Sequence, residues 1–424
     1  MMENVCVVGL GYIGLPTASL LATKGFKVHG VDVNPKAVET INRGEIHIYE
    51  PDLDILVRAA VQSGQLKAAL EPASAEVFIL AVPTPFMEGK VPDLSYVEAA
   101  TKAIAPYVMP GNLVILESTS PVGTTEKVAD WLFEMRPELN IPRWSTKGGV
   151  VGGGKDQVFV AHCPERVLPG QILKELVGND RIVGGIDDTS MHKAEAFYQK
   201  FVSGEILTTN ARTAEMSKLC ENAFRDVNIA FANELSTICD RLSINVWDLV
   251  ELANRHPRVN ILQPGPGVGG HCIAVDPWFI VHSAPEEARL IRTAREVNDG
   301  KPHWVIDRVK AKADRFKQPR IACLGLAFKA DIDDLRESPS MEIVELLAKE
   351  KVGELLVVEP HIEELPKRLA GIENVRFVEL GDALRDADIL LLLVDHKTFR
   401  RVDRDLLKEK VVIDTRGIWH DKRH

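Results

Sequence analysis

Cysteine is sparse and unpaired in this sequence: six residues, at positions 6, 163, 220, 239, 272 and 323, form no CxxC pair and no Cys/His cluster at metal-ligand spacing. Neither a disulfide framework nor a metal site is expected, and a reducing compartment fits. No apolar run approaches the ~20 residues that a membrane-spanning helix requires. The residues before Val5 carry no basic stretch and long apolar core of the kind that marks a secretory signal. Basic charge is also in deficit, with 51 Lys and Arg against 61 Asp and Glu for a formal net charge of −10. That excludes a general phosphate-backbone binder but permits a local basic pocket for one or two phosphates. The expected protein is cytoplasmic, with no nucleic-acid and no membrane partner. Its 45% hydrophobic and 26% charged residues are ordinary for a globular chain, and 424 residues allow two or three domains.

Glycine and proline, by contrast, are massed in front of one cysteine. The run Gly265-Pro266-Gly267-Val268-Gly269-Gly270-His271-Cys272 is too rich in both to be helix or strand interior, and Asp276 follows four residues later. Residues without a Cβ let main chain approach a ligand and leave amide N–H groups to face an oxyanion. Cys272 is then a candidate nucleophile and Asp276 a candidate acid/base group. A surface loop with an incidental buried cysteine is the competing reading.

At the other end, the strand-like Val5–Gly9 runs into Gly9-x-Gly11-x-x-Gly14 and a helical pattern through Leu20 and Ala22. This is the dinucleotide fingerprint in its proper setting: a tight turn, a close approach to pyrophosphate, and close helix–strand packing. A second strand-like run, Lys27–Val31, ends at Asp32, whose carboxylate suits both ribose hydroxyls and repels a 2′-phosphate, favouring NAD over NADP. Further strand-like runs at 77–82 and 113–118 put Thr84, Ser118 and Thr119 at strand ends, where hydroxyls and exposed amides would meet the nicotinamide and ribose. Gly149 to Lys155 imitates a phosphate-binding P-loop, but Asp156 stands where a hydroxyl is needed and the run precedes a strand, so a flexible loop is expected. After the strand-like Val158–Val160, Glu165 is placed to act as a general base.

A helical pattern from Thr213 to about Leu242, marked by Met216, Leu219, Ala223, Phe224, Val227, Ala230, Phe231, Leu235 and Ile238, would link two domains. Lys218 and Asn222 lie one turn apart on it, so a cation and an amide share a face. Beyond a further helical stretch from Glu286 to about Lys312, a second βα rhythm begins at Arg320–Gly325. Its second glycine position is Ala327, so this half is expected to bind something smaller than a dinucleotide. Lys329, Arg336 and Arg416 fall at strand ends suited to a diphosphate. The expected fold is α/β: two Rossmann-like doubly wound domains, 1–210 and 316–424, joined by a helical central domain, 211–315, with a long linking helix.

The blocks GLGYIGLP (9–16), STSPVGTT (118–125), PERVLPG (164–170), KLCENAF (218–224), GPGVGGHC (265–272) and FKADIDDLRESPS (328–340) resemble the UDP-glucose/GDP-mannose dehydrogenase family in order and spacing along the whole chain. The resemblance implies two NAD-dependent oxidations of a sugar C6 alcohol to a carboxylate, with a thiohemiacetal and then a thioester on Cys272. It implies oxyanion stabilisation by Lys218 and Asn222, an orienting role for Asp276, and thioester hydrolysis assisted by Glu165. Gly9, Gly11, Tyr12, Ile13, Gly14 and Asp32 match the NAD site, with Thr84, Ser118 and Thr119 lining it. Arg166, Gly269, His271, Lys329, Arg336 and Arg416 match substrate contacts, and Arg258 matches an arginine that reaches a neighbouring subunit's site, which implies a homodimer. The segments ENAFRDVNIAFANE and RHPRVNILQPGPGVGGHCIAVDPWF look like the branch acting on N-acetylated UDP-sugars, UDP-N-acetyl-D-mannosamine above all. His271 replaces the serine usual in UDP-glucose enzymes, and the apolar Ile273–Val275 replaces a more polar run; both speak against UDP-glucose.

Overall fold

The computed structural model describes residues 3–420 other than 146, 169 and 271. The chain divides into two compact units, residues 1–221 with 282–284 and residues 222–281 with 285–424.

In the first unit the strands β1 (Asn4–Val8), β2 (Lys27–Val31), β3 (Leu66–Ala69), β4 (Val77–Leu80) and β5 (Leu113–Leu116) are short apolar runs, and those of β4 and β5 are buried throughout. Such runs suit a parallel sheet covered on both faces. The period-two alternation of β1 sends Val5 and Val7 into one core and Cys6 and Val8 into the other. A detached ribbon, β6 (Arg143–Trp144) and β7 (Val150–Val151), precedes β8 (Phe159–His162), β9 (Arg181–Gly185) and β10 (Ile206–Asn210). The sheet order is β10-β9-β8-β5-β4-β1-β2-β3, parallel except where β8 meets β9. The winding direction reverses between β1 and β4, so the carboxyl ends of those strands form the crevice where such sheets take ligands.

The P-loop look-alike is not the flexible loop expected. Asn140 accepts from Gly153 N and donates to Gly153 O, both at 2.9 Å, while Gln157 accepts from Gly154 N. These bonds fix the glycines as the turn and exit of the β6–β7 ribbon, where 148, 149, 152, 153 and 154 all take positive φ.

The second unit contains a five-stranded parallel sheet of β11 (Arg320–Leu324), β12 (Glu354–Val358), β13 (Val375–Phe377), β14 (Ile389–Leu392) and β15 (Val411–Asp414), ordered β13-β12-β11-β14-β15. Two helices carry the middle of the chain: the long helix Ala211–Arg241, whose last twenty residues belong to the second unit, and Arg289–Ala313. The apolar positions that define the long helix in the sequence do not all face a core. Phe224, Phe231 and Ile238 are 70%, 53% and 44% exposed, whereas Asp226 and Asn233 are fully buried. A seven-residue repeat of exposed apolar side chains thus runs opposite a buried polar stripe.

Candidate active site

At the carboxyl end of β1, Gly9 has φ +92°, and a Cβ there would meet Ala81 O at 2.5 Å; a Cβ on Gly14 would meet Gly9 O at 1.7 Å. Both glycines are required by the protein's own packing. Gly11 is different: a Cβ there would meet nothing within 4 Å, so the protein's own packing does not demand a glycine and the space beside it is open. Tyr12, 42% exposed, and Ile13 lead into the helix Gly14–Thr23. Asp32 ends β2 with Oδ2 accepting from Leu10 N at 3.0 Å and Oδ1 from Asn34 N at 2.9 Å, which aims the carboxylate across the glycine turn and keeps a lone pair on each oxygen for a ribose. These residues fit a dinucleotide.

The hydroxyls expected to line the cofactor are engaged within the protein. Ser118 Oγ donates to Val82 O and Thr84 Oγ1 to Thr119 O, each at 2.6 Å, which stitches the β4 loop to the β5 loop. Amides of the SPVGTT turn are likewise engaged. Glu215, buried on the long helix, accepts from Gly123 N (2.6 Å), Thr125 N (2.7 Å) and Thr125 Oγ1 (2.6 Å), occupying the amino end of the helix Thr124–Met135. Three donors favour its carboxylate, yet burial pushes the group up to about 7.

Glu165 lies in the segment after β8, its Oε1 accepting from Val167 N. Burial raises its carboxyl to about 7, against the opposing pull of Lys218 and Arg181 and with a further push from Glu117. Lys218 is buried, and its charge opposes the rise of the Glu165 carboxyl. Sequence reasoning missed the layer behind Glu165. Tyr198 Oη donates to the buried Glu117 at 2.9 Å, and the Arg181 guanidinium lies 5.4 Å over the Tyr198 ring. The one available signal was a carboxylate closing the apolar run LVILE. Arg166, expected to touch substrate, is held by Glu221 at 2.7 Å and the Asp180 carbonyl at 3.2 Å.

In the second unit, the glycine loop packs against the protein itself. Gly265 N donates to Asn233 Oδ1 at 2.9 Å and is not available to an oxyanion. A Cβ on Gly265 would lie 2.6 Å from Arg416 Nη1, one on Gly267 2.7 Å from Pro339, and one on Gly269 2.5 Å from Glu337 O. Gly270, at φ +83°, faces the Phe328 ring at 3.1 Å. The glycines are there because the C-terminal half packs onto the loop, which joins the segments bearing Lys329, Arg336 and Arg416 to the one ending in the cysteine.

Cys272 itself is exposed. Its carbonyl accepts from Val275 N (3.1 Å) and Asp276 N (2.9 Å), so the residue occupies the turn that opens the helix Asp276–Ser283, where negative charge is favoured. Asp276 is buried, and its Oδ2 accepts from Asn222 Nδ2 at 2.6 Å. Asn222 therefore meets Asp276 directly. His271 lies outside the described residues. Lys329 and Arg258 are exposed, Arg336 is bidentate to Asp334, and Arg416 binds Asp395 Oδ1 through Nε (3.0 Å) and Nη2 (2.9 Å). The β11 turn explains the broken fingerprint: Glu359, ending β12 as Asp32 ends β2, accepts from Leu326 N at 2.7 Å and Ala327 N at 3.1 Å. Those two turn amides are thus engaged by the protein's own carboxylate. The neighbouring Asp331, His361 and His396 bring three potential ligand atoms within 4.8 Å, but Asp331 N and Glu359 engage both ring nitrogens of His396, making it a structural latch.

Residues 3–202, 212–300 and 322–421 match, in turn, the NAD binding, central and UDP binding domains of the UDP-glucose/GDP-mannose dehydrogenase family. The chain belongs to that family. Among similar family members, the NDP-N-acetyl-D-galactosaminuronic acid dehydrogenase of Ralstonia nicotianae is 62% identical over 99% of this chain and 97% of its own. The UDP-N-acetyl-D-mannosamine dehydrogenase of Escherichia coli K12 is 57% identical over 98% and 99%. A solved structure of the UDP-N-acetyl-mannosamine dehydrogenase from S. aureus superposes with a TM-score of 0.85 at 41% identity, covering 99% of this chain and 96% of that one. This member of the UDP-glucose/GDP-mannose dehydrogenase family is an NAD-dependent oxidoreductase of UDP-sugars. No helix among the described residues is long and apolar enough to cross a membrane.

Proposed function

We propose that the chain oxidises the C6 alcohol of UDP-N-acetyl-D-mannosamine to the uronate through covalent intermediates on Cys272. The observation that carries this reading is the exposed Cys272 at the opening turn of the helix Asp276–Ser283, beside a buried Asn222–Asp276 pair. A simple alcohol dehydrogenase has no use for that arrangement. Bound NAD, one molecule for each oxidation, takes the hydride from the sugar carbon.

The Cys272 sulfur adds to the C6 aldehyde, forming a C–S bond while the carbonyl oxygen takes up a proton, and the resulting thiohemiacetal cannot escape. Lys218 and Asn222 favour the negative charge on that oxygen, with Asp276 holding the Asn222 amide in place. Loss of the second hydride and the hydroxyl proton leaves a thioester. Glu165 takes a proton from water as its oxygen attacks the thioester carbon; the C–S bond breaks and the thiol is regenerated. The sum is one alcohol, two NAD⁺ and one water giving one carboxylate, two NADH and three protons. In this scheme residues 1–210 hold NAD and 316–424 hold UDP through Lys329, Arg336 and Arg416. The exposed stripe Phe224, Phe231 and Ile238 supports a homodimer built on the long helix, with Arg258 serving the neighbouring site. Six cysteines, none in a disulfide, support a reducing cytoplasm.

The 62% identity to an NDP-N-acetyl-D-galactosaminuronic acid dehydrogenase favours a second reading, the same chemistry on the galacto sugar. The test is NADH released per sugar nucleotide at completion for UDP-N-acetylmannosamine, UDP-N-acetylgalactosamine, UDP-N-acetylglucosamine and UDP-glucose. About two NADH from the first alone supports the proposal. Two from another sugar keeps the chemistry and replaces the substrate, whereas one NADH from all of them sinks the covalent route.

A further inference from the structure

Four polar side chains with no assigned part in the reaction form a buried chain leading to the cysteine loop. The long helix contributes Asp226 and Asn233, each at 0% exposure, and the helix Arg289–Ala313 contributes Arg295 and Asn298, each at 1%. Arg295 Nη1 donates to Asp226 Oδ1 at 2.5 Å. Asn298 Nδ2 donates to the same oxygen at 2.8 Å and to Asp226 O at 3.1 Å. Asn233 Nδ2 donates to Asn298 Oδ1 at 2.8 Å, and Gly265 N donates to Asn233 Oδ1 at 2.9 Å. We propose that Asn233 is a positioning residue for Cys272, with the direction of its amide imposed by the Arg295–Asp226 pair through Asn298. This rests on the reading of Cys272 as the nucleophile.

The argument turns on which groups at the two ends are free to reverse. A carboxylate facing a guanidinium only accepts, and a peptide N–H only donates. Between such ends each amide has one allowed orientation. Asn298 must turn its NH2 to Asp226, so its carbonyl meets the NH2 of Asn233, and the carbonyl of Asn233 is left for Gly265. A flip of Asn233 would oppose N–H to N–H at Gly265 and carbonyl to carbonyl at Asn298. Buried ion pairs are a weak means of stabilising a fold, and fixing one arrangement is their better attested use. Asn222 and Asn233 stand 11 residues apart on one helix, or about 16 Å along its axis. Asn222 holds Asp276, whose amide binds the Cys272 carbonyl, and Asn233 holds Gly265. The cysteine segment is therefore suspended at both ends from the same rigid element. Misplacing a reacting atom by about 1 Å can cost on the order of a hundredfold in rate, which gives such a suspension a purpose.

The full-length protein tests this in two ways. The first needs no substrate: the rate of Cys272 alkylation by iodoacetamide, followed by mass spectrometry of its peptide, is expected to change at least threefold in Asn233→Ala and in Asn298→Ala. The second is NADH per sugar nucleotide with a carbonyl-trapping reagent present. It is expected to fall from about two toward one in Asn233→Ala as aldehyde escapes, with KM for the sugar nucleotide moving less than threefold. Asn233→Asp keeps an acceptor for Gly265 N while placing a carboxylate against the Asn298 carbonyl. It should lower stability yet retain about two NADH, which a purely structural role would not produce. Unchanged alkylation in the alanine variants overturns the proposal, as does a full two NADH from Asn233→Ala. If the wild-type protein itself yields one NADH per sugar nucleotide, the covalent route through Cys272 fails, and the alkylation rates still decide whether Asn233 positions the Cys272 side chain.

Discussion

Deacylation should titrate with Glu165. Burial raises this carboxyl from 4.5 to about 7, with Lys218 and Arg181 restraining the rise. Water is activated only by the ionised form, so the active fraction is about one in eleven at pH 6, one half at pH 7 and ten in eleven at pH 8. Thioester hydrolysis is expected to climb roughly tenfold per pH unit on the acid side and to level off above about pH 8. A rapid-mixing experiment reads this directly. At pH 6 each active site should release a burst of about two NADH, one per oxidation, before a slow steady state set by hydrolysis. Glu165→Gln should keep the burst, slow the steady state by about 10²–10⁴-fold and abolish its pH dependence, because a missing general base costs that much. Glu117→Gln removes a negative neighbour that raises Glu165, so the limb should move to lower pH. A steady state that is flat between pH 6 and 8, or a pH limb that survives in Glu165→Gln, refutes Glu165 as the base.

Three further outcomes are expected. Glu215→Gln places an NH2 against amides that donate to the buried carboxylate and should lower stability by about 1–3 kcal/mol in urea unfolding; an unchanged midpoint would mean that Glu215 is protonated in the folded protein. Phe224→Asp combined with Phe231→Asp puts two charges in the exposed stripe of the long helix, and light scattering should then give the mass of one chain where the wild type gives two. Asp32→Ala removes the carboxylate assigned by the proposal to the ribose, so KM for NAD should rise about tenfold or more while NADP becomes measurably usable; unchanged cofactor preference would assign the discrimination elsewhere.

The sheets were legible because buried parallel strands are short continuous apolar runs, and β1, β2, β4, β5 and β12 stand out against their surroundings. The dinucleotide turn was legible because three glycines and an acid at fixed offsets have one common explanation. The long helix was harder. Its length could be read to within two residues at each end, but its orientation could not, since Phe224, Phe231 and Ile238 are apolar and exposed while Asp226 and Asn233 are polar and buried. Periodicity reports that two faces differ. It cannot report that the polar face is satisfied internally, because the partners Arg295 and Asn298 are 69 and 65 residues away from Asp226 and Asn233 respectively.

The glycine loop shows why a residue type can be recognised correctly and explained only in part. A missing Cβ allows something to come close, and a sequence does not say whether that something is a ligand or the protein itself. Gly11, which would meet nothing, and Gly269, which would strike the Glu337 carbonyl at 2.5 Å, are indistinguishable as letters. The difference has consequences for mechanism. If the loop glycines served an oxyanion alone, substitutions there would weaken only the chemical step. Because they also seat Arg416, Phe328 and Pro339, a Cβ at Gly269 must shift the Glu337 carbonyl and Pro339 or the loop itself, and one at Gly270 must push back the Phe328 ring. In the proposed mechanism, binding of the nucleotide and reactivity of the thiol would therefore depend on one packed surface, which the Asn233 bond to Gly265 also holds.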